Sequence, residues 1–200
     1  LSMRTQWSEG DEKKKVTSPV SLIVTAFATL GDVRGTLTPQ LDTTEADTTL
    51  VLVDLGAGRN RMAGSILAQT LGQSGDTVPD LDDPQQLVQL VNAVNTLRAQ
   101  GRVLAYHDRS DGGLFATVCE MAFAGNVGVA LNVDMLVTEG DGISDSRMDS
   151  GDAKNWATQV SARREELTLK ALFNEELGVV LQVRTSERNE VMQTLRDHGL

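Results

Sequence analysis

The sequence predicts a mixed α/β domain built as a layered sandwich of sheet and helices. Three observations predict it. Short β-branched runs of strand character recur at Ser21–Ala28, Thr48–Leu55 and Gly178–Arg184. Between them lie segments whose apolar residues repeat near the helical period, so strands and helices alternate along the chain. With 200 residues, 40% of them hydrophobic, the chain is long enough for one large domain, or a domain and a small subdomain, around a buried core.

In chain order, Leu1–Trp7 alternates like a strand, and Ser8–Lys15 reads as a charged loop. Ser21–Ala28 is an apolar strand, followed after Gly31 by a polar stretch to Ala46. TTLVLVDL at Thr48–Leu55 is the clearest strand and ends on the Gly56–Gly58 pair, with a short helix at Ala63–Leu71. Asp83-Pro84 starts a helix, Asp83 as cap and Pro84 in the first turn, with Leu87, Leu90, Val91, Val94 and Leu97 on one face up to Gly101. Val103–Tyr106 is a strand. A helix over Gly113–Ala124 turns Leu114, Val118, Met121 and Ala122 inward, and Val127–Val133 is a further strand. Asp134–Trp156 is rich in Gly, Ser and Asp and reads as an exposed loop. A helix at about Glu165–Glu176, the strand Gly178–Arg184 and a helix Ser186–His198 capped by Ser186 complete the chain.

A formal net charge of -10 argues against nucleic acid as a partner, because phosphate backbones require basic surfaces. No apolar run is long enough to span a bilayer, and the polar N-terminus has no apolar signal core, so no membrane is expected. The single cysteine, Cys119, permits no internal disulfide, which fits a reducing, cytoplasmic setting. A strand-like start at Leu1, and a helix meeting its Gly stop at Gly199, make the chain read as a piece of something longer.

The most informative segment is AYHDRSDGGL, Ala105–Leu114. Oxygen ligands at a strand's end, followed by a Gly-Gly pair, suit a magnesium-bound phosphate, with Asp108 on the cation and Ser110 donating to phosphate. The same residues also read as a turn at Asp108 and a helix cap at Asp111, and the cap is the preferred role of Asp111. The second candidate is LGAGRNRMAGS, Leu55–Ser65, in which backbone N–H groups and two arginines could hold a phosphate. It matches neither a Walker A loop nor a GxGxxG fingerprint, so a tight strand-to-helix connection is the plainer reading. The acidic tract Asp141, Asp145, Asp149 and Asp152 misses calcium-loop spacing and reads as solvated. Neither His107, His198 nor Cys119 forms a nucleophile–base arrangement, and the carboxylates of Glu175 and Glu176 are read as structural.

AYHDRSDGGLFATVCEMAFAG resembles the C-terminal synthetase region of the phosphoribosylformylglycinamidine synthase family, in its large single-chain form. The likeness extends in order to SPVSLIVTAFATLGDVRGTLTPQL, LVDLGAGRNRMAGS, PDLDDPQQL and FNEELGVVLQV, and so covers nearly the whole chain. It implies the fold of the C-terminal domain of the aminoimidazole ribonucleotide synthetase superfamily. Residues 1–20 would be a strand and loop of the preceding subdomain, and residues 21–200 the C-terminal subdomain of the second synthetase half, cut at its C-terminal end.

The resemblance further implies a glutamine amidotransferase ligase of purine biosynthesis. Such an enzyme converts formylglycinamide ribonucleotide, ATP and glutamine to formylglycinamidine ribonucleotide, ADP, phosphate and glutamate. Carried over by position, Asp108 is a Mg2+ ligand and Ser110 a contact to ATP or ADP. The loop of Gly58, Asn60, Arg61, Gly64 and Ser65 takes a phosphate-binding role, and no catalytic residue is assigned. In this family the second half's site is held to be mainly structural, keeping ADP. The implied partners are the preceding subdomain and the glutaminase domain of the parent chain, without which this chain is expected to make no product. A non-catalytic nucleotide-binding or scaffolding module is the competing expectation. A relative in selenophosphate or thiamine-phosphate metabolism fits less well, because PVSLIVTAFA and HDRSDGGLF are closer to the purine enzyme.

Overall fold

Arg4–Glu9 (β1) and Glu12–Thr17 (β2) pair antiparallel, from Arg4 opposite Thr17 to Glu9 opposite Glu12. The computed structural model describes residues 3–17, 22–133, 136–137 and 153–200. Gly10 leads the two-residue turn of this hairpin with φ +61°, the position where a II′ turn requires glycine. The charged loop expected over residues 8–15 is therefore mostly strand. Glycine allows a turn of only two residues, and the lysines alternate along an exposed ladder. The strand expected over residues 21–28 does not form among the described residues. Residues 22–30 have no regular structure, and Leu22, Ile23 and Phe27 are 86%, 90% and 92% exposed. A strand exists only with a neighbour to take its backbone groups, and no described strand pairs with this run.

By internal contacts the chain divides into two units, Leu1–Arg34 and Gly35–Leu200. The boundary expected between residues 20 and 21 falls on residues outside those described.

In the larger unit, Thr48–Asp54 (β3), Ala105–Asp108 (β4) and Gly178–Arg184 (β5) form one sheet in the order β3-β5-β4, with β5 antiparallel to both neighbours. Side chains alternate across it as the pleat demands. Val51, Val53, Val179, Leu181 and Val183 meet one helix layer, while Leu50, Leu52, Ala105 and Val180 meet the other. Gln182, on the second face, is buried but satisfied. Its oxygen accepts from the Asp42 N–H at 2.7 Å, and its amide donates to the Asp42 carbonyl at 2.9 Å and the Thr48 hydroxyl at 3.1 Å.

After β3 come the short helix Ile66–Thr70 (α1) and then Pro84–Ala99 (α2). Asp83 caps α2 as expected, its carboxylate accepting from the Gln85 N–H at 2.9 Å. The inward face of α2 is Leu90, Ala93 and Leu97, joined in the core by Val191 and Leu195 of Arg188–Asp197 (α5). Leu87 and Val91, expected on that face, are 39% and 51% exposed, because the stripe that meets the sheet lies on the 90–93–97 side.

On the other face lies Gly113–Gly125 (α3), burying Leu114, Thr117, Val118 and Met121, with Ala122 only partly covered. Against it packs Ala153–Phe173 (α4), the Phe115 and Phe173 rings lying 5.3 Å apart.

Several expected boundaries move for identifiable reasons. α4 reaches back through residues 153–156, and the rest of the expected loop, including the acidic tract, lies outside the described residues apart from 136–137. α4 ends at Phe173 because the Asn174 amide takes the carbonyls of Lys170 and Ala171, at 2.7 and 3.3 Å. Gly178 opens β5 opposite Asp54. Residues 127–132 form no strand, since no neighbour pairs with them. The last helix begins with a 3-10 turn, Thr185–Glu187, so Ser186 does not cap it and Glu187 holds the cap position. The strand expected at residues 103–106 runs instead over Ala105–Asp108, where it pairs with β5.

Candidate functional site

Because β3 and β4 both run against β5, their C-terminal ends share one end of the sheet with the start of β5. In register, Asp54 lies opposite Gly178 and Asp108 opposite Val179. Three loops therefore meet there: the glycine-bearing connection after β3, the turn after Asp108, and residues 174–177.

A knot of charged side chains ties the loops together. Asp54 accepts from the N–H groups of Gly56 at 3.1 Å and Gly58 at 3.0 Å, and pairs with the guanidinium of Arg109. Burial works against its ionisation, but the Gly58 N–H, the Arg109 charge and hydrogen bond, and the Gly56 N–H together hold its carboxyl below the usual range. Arg109, 5% exposed, also donates to the carbonyls of Glu176 at 2.5 Å and Leu177 at 3.0 Å. Glu176 is fully buried and accepts from Arg61 three times, from its backbone N–H at 2.9 Å, Nε at 2.7 Å and Nη2 at 2.8 Å. The far side of Arg61 binds Asp82 and the Asp80 carbonyl, and the Glu176 and Asp82 bonds raise its already high pKa. Gly56 has to be glycine here, since a β-carbon would sit 2.6 Å from the Glu176 Cγ.

Asp108 is exposed at the end of β4, accepting a hydrogen bond from the Tyr106 hydroxyl. Burial, and then the bond and charge of Asp108, push the Tyr106 phenol above its ordinary range. Ser110 is exposed, and its carbonyl closes the turn by accepting from the Gly113 N–H at 2.9 Å. The cap expected at Asp111 is not made: Gly112, in the left-handed region at φ +85°, holds that position, and Asp111 is exposed. The structure thus brings Asp108 and Ser110 to one exposed turn, beside a cavity of about 410 Å³ walled by Leu87, Val91, Val94 and Tyr106.

The loop after β3 is placed differently. The N–H of Gly58 is taken by Asp54, and the Asn60 oxygen accepts from the Asn174 amide at 3.0 Å. Arg61 is committed to Glu176 and Asp82, and the N–H of Gly64 donates to the Ser74 carbonyl at 3.0 Å. Ser65 is buried and caps α1, accepting from the Ala68 N–H at 3.2 Å. Outside the knot, His107 pairs with Glu120 at 2.7 Å, His198 contacts the Thr194 carbonyl at 2.8 Å, and Cys119 is half-buried.

Reading the sequence did not single out Asp54 or Arg109. The signal for both was position, an acid closing the clearest strand and an arginine directly after Asp108. Among the described residues no group of three or more His, Cys, Asp or Glu side chains is arranged to hold a metal. Mg2+ commonly takes only one or two carboxylates and fills its octahedron with phosphate oxygens and water, so exposed Asp108 fits as one such ligand.

A three-stranded sheet with helices on both faces, and its motif loops gathered at one end, defines a mixed α/β sandwich domain. Residues 47–200 match the family AIR synthase related protein, C-terminal domain, and the chain belongs to that family. Residues 1–29 match the FGAR-AT PurM_N-like domain. The Arg34/Gly35 division lies between the two matched stretches. Together the matches bear out the resemblance to the C-terminal region of FGAR amidotransferase, and with it a family of purine biosynthesis. No helix among the described residues is long and apolar enough to cross a membrane.

Proposed function

We propose that this chain supplies one side of a Mg-nucleotide site in an ATP-dependent, glutamine-using ligase of de novo purine biosynthesis, located in the cytoplasm. The parent enzyme converts formylglycinamide ribonucleotide to the amidine, with ammonia drawn from glutamine in a separate glutaminase domain. The observation that carries the reading is that Asp108, closing β4, and Ser110, in the turn after it, are both exposed at the same end of the sheet. Asp108 holds Mg2+ and Ser110 donates to a phosphate oxygen. When bound, Mg2+ supplies the positive charge that neutralises the phosphoryl group. The loop of Gly58, Asn60, Arg61, Gly64 and Ser65 borders this site but offers phosphate little, since the N–H groups of Gly58, Arg61, Gly64 and Ser65 are bonded to Asp54, Glu176, Ser74 and Met62, and the Arg61 and Ser65 side chains are bonded within the protein.

The use of these donors within the protein also favours a second reading, in which the region is a scaffold that holds nucleotide without turning it over, or holds none. Titration calorimetry with Mg-ADP separates nucleotide binding from scaffolding alone. The first expects Asp108→Ala to lose about tenfold or more in Mg-dependent affinity, as removal of a charged ligand does. Equal affinity in both chains, or no binding by either, would sink it. The chain alone is expected to release no ADP with ammonia and the ribonucleotide substrate, and detectable release in a coupled assay would overturn that expectation.

A further inference from the structure

Residues 174–177 touch each of the other two loops at this end of the sheet, and Glu175 does so with one oxygen. Its Oε1 accepts from the backbone N–H of Ile66 at 2.8 Å and from that of Gly112 at 2.8 Å. Ile66 opens α1 directly after Ser65, and Gly112 follows Ser110 by two residues. The partners are 109 and 63 residues from Glu175 in the chain, so this carboxylate is a tertiary clip between two loops.

The turn it grips needs a clip. Gly112 and Gly113 both lie in the left-handed region, at φ +85° and +67°, and successive glycines have little intrinsic preference for one conformation. Gly113 must be glycine because of the same segment: a β-carbon would lie 2.5 Å from the Asn174 carbonyl oxygen and 2.8 Å from that of Leu172. The 172–175 backbone therefore forms the floor on which the Ser110 turn rests, and while Arg109 anchors the start of that turn through the Glu176 and Leu177 carbonyls, Glu175 fixes its glycine end through the Gly112 N–H.

We infer that Glu175 is a positioning residue for the Mg-nucleotide site, holding the Ser110 turn and the start of α1 in one register so that Ser110 and Asp108 face the ligand together. The inference rests on the nucleotide reading of this site. It acts through hydrogen bonding and not through charge. A glutamine oxygen accepts the same two N–H bonds, whereas aspartate is one carbon too short to span both.

The test is Mg-ADP titration of the chain carrying Glu175→Gln, Glu175→Ala, Ser110→Ala and the Glu175→Ala/Ser110→Ala pair, with thermal midpoints measured alongside. Glu175→Ala is expected to weaken binding about tenfold, and Glu175→Gln to stay within about threefold of the parent. In the double-mutant cycle the Glu175→Ala loss largely disappears once Ser110 is already alanine, because what Glu175 positions is gone. A role in folding alone would lower the midpoint but leave the two effects additive. Additive effects, a glutamine variant as weak as the alanine one, or an alanine variant binding like the parent would each overturn the inference while the nucleotide reading stands. Failure of the unsubstituted chain to bind Mg-ADP would remove that reading, and this inference with it.

Discussion

Residues 22–30 and β5 are runs of the same local kind, apolar and β-branched, and they end in opposite environments. In the first, Phe27 is 92% exposed and no strand forms, while in the second Leu181 and Val183 are wholly buried at the centre of a sheet. The difference is not propensity. β5 has a hydrogen-bonding neighbour on each edge and a helix layer on each face, whereas residues 22–30 have neither among the described residues. Strand character in a sequence is thus a statement about what a segment can pair with.

The largest effect expected from this contrast comes from placing the same charge in both runs. Leu181→Asp buries an unpaired carboxylate between β3 and β4, and costs roughly 5 kcal/mol or more, enough to unfold a marginal domain. Val24→Asp, at a position 77% exposed, is expected to change stability by no more than about 0.5 kcal/mol. Urea denaturation followed by circular dichroism measures both. Similar losses in the two variants would mean that the 22–30 run is buried like β5, and the comparison would fail.

A somewhat smaller effect concerns what lies at the start of β5. Beside Gly178 lies Arg109, whose guanidinium serves Asp54 and the carbonyls of Glu176 and Leu177. Arg109→Ala leaves the Glu176 carbonyl without this donor and Asp54 with only the N–H groups of Gly56 and Gly58, and removing the buried member of this partly buried pair costs roughly 3 kcal/mol. The Asp54 carboxyl is held below its ordinary 3.8 in the folded chain, so its stabilising contribution is complete above that pH and is lost as pH falls through the lower folded value. In Arg109→Ala the opposing effect of burial gains ground and the carboxyl rises toward its unfolded value, so the part of acid destabilisation that Asp54 carries should shrink and stability should fall less steeply below that pH than in the parent. Urea midpoints measured from neutral pH downward test this, and parallel curves for the two proteins would show that Arg109 does not set the Asp54 titration.

What could be read from the sequence divides along the same line. β3, β5 and the start of α2 were legible because their signals are complete within a few residues: an apolar run ending on glycine, or an Asp cap before a Pro. Asp108 and Ser110 were legible as candidates for the same reason, lying together at a strand's end. Asp111 makes no cap because the helix starts one residue later, with Gly112 in the left-handed region at the cap position and the Gly113 N–H taken by the Ser110 carbonyl, while the Gly112 N–H is met by Glu175, a residue with no local mark of that role. Likewise Arg61 looks like a free phosphate fork in sequence, yet its partner Glu176 is 115 residues away. Residues 127–132 repeat the lesson of 22–30, since an apolar run without a partner strand stays irregular.

The smallest expected effect on folding is also the sharpest probe of the exposed run. Ile23→Ser together with Phe27→Ser removes two of its most exposed apolar side chains. Neither contributes appreciable buried area, and no sheet among the described residues includes them, so the change in stability, read from the thermal midpoint, should stay within the roughly 0.5 kcal/mol expected of surface changes. Association is a separate matter. Exposed apolar side chains in water favour contact with another copy, so sedimentation at high concentration should show less self-association in the double variant than in the parent. A lowered midpoint with unchanged association would invert the argument, because it would place these side chains in a core as firmly as Leu181 is placed in its own. An unchanged midpoint with reduced association would instead show that the run's apolar character serves contact between surfaces and adds nothing to the stability of the chain that carries it.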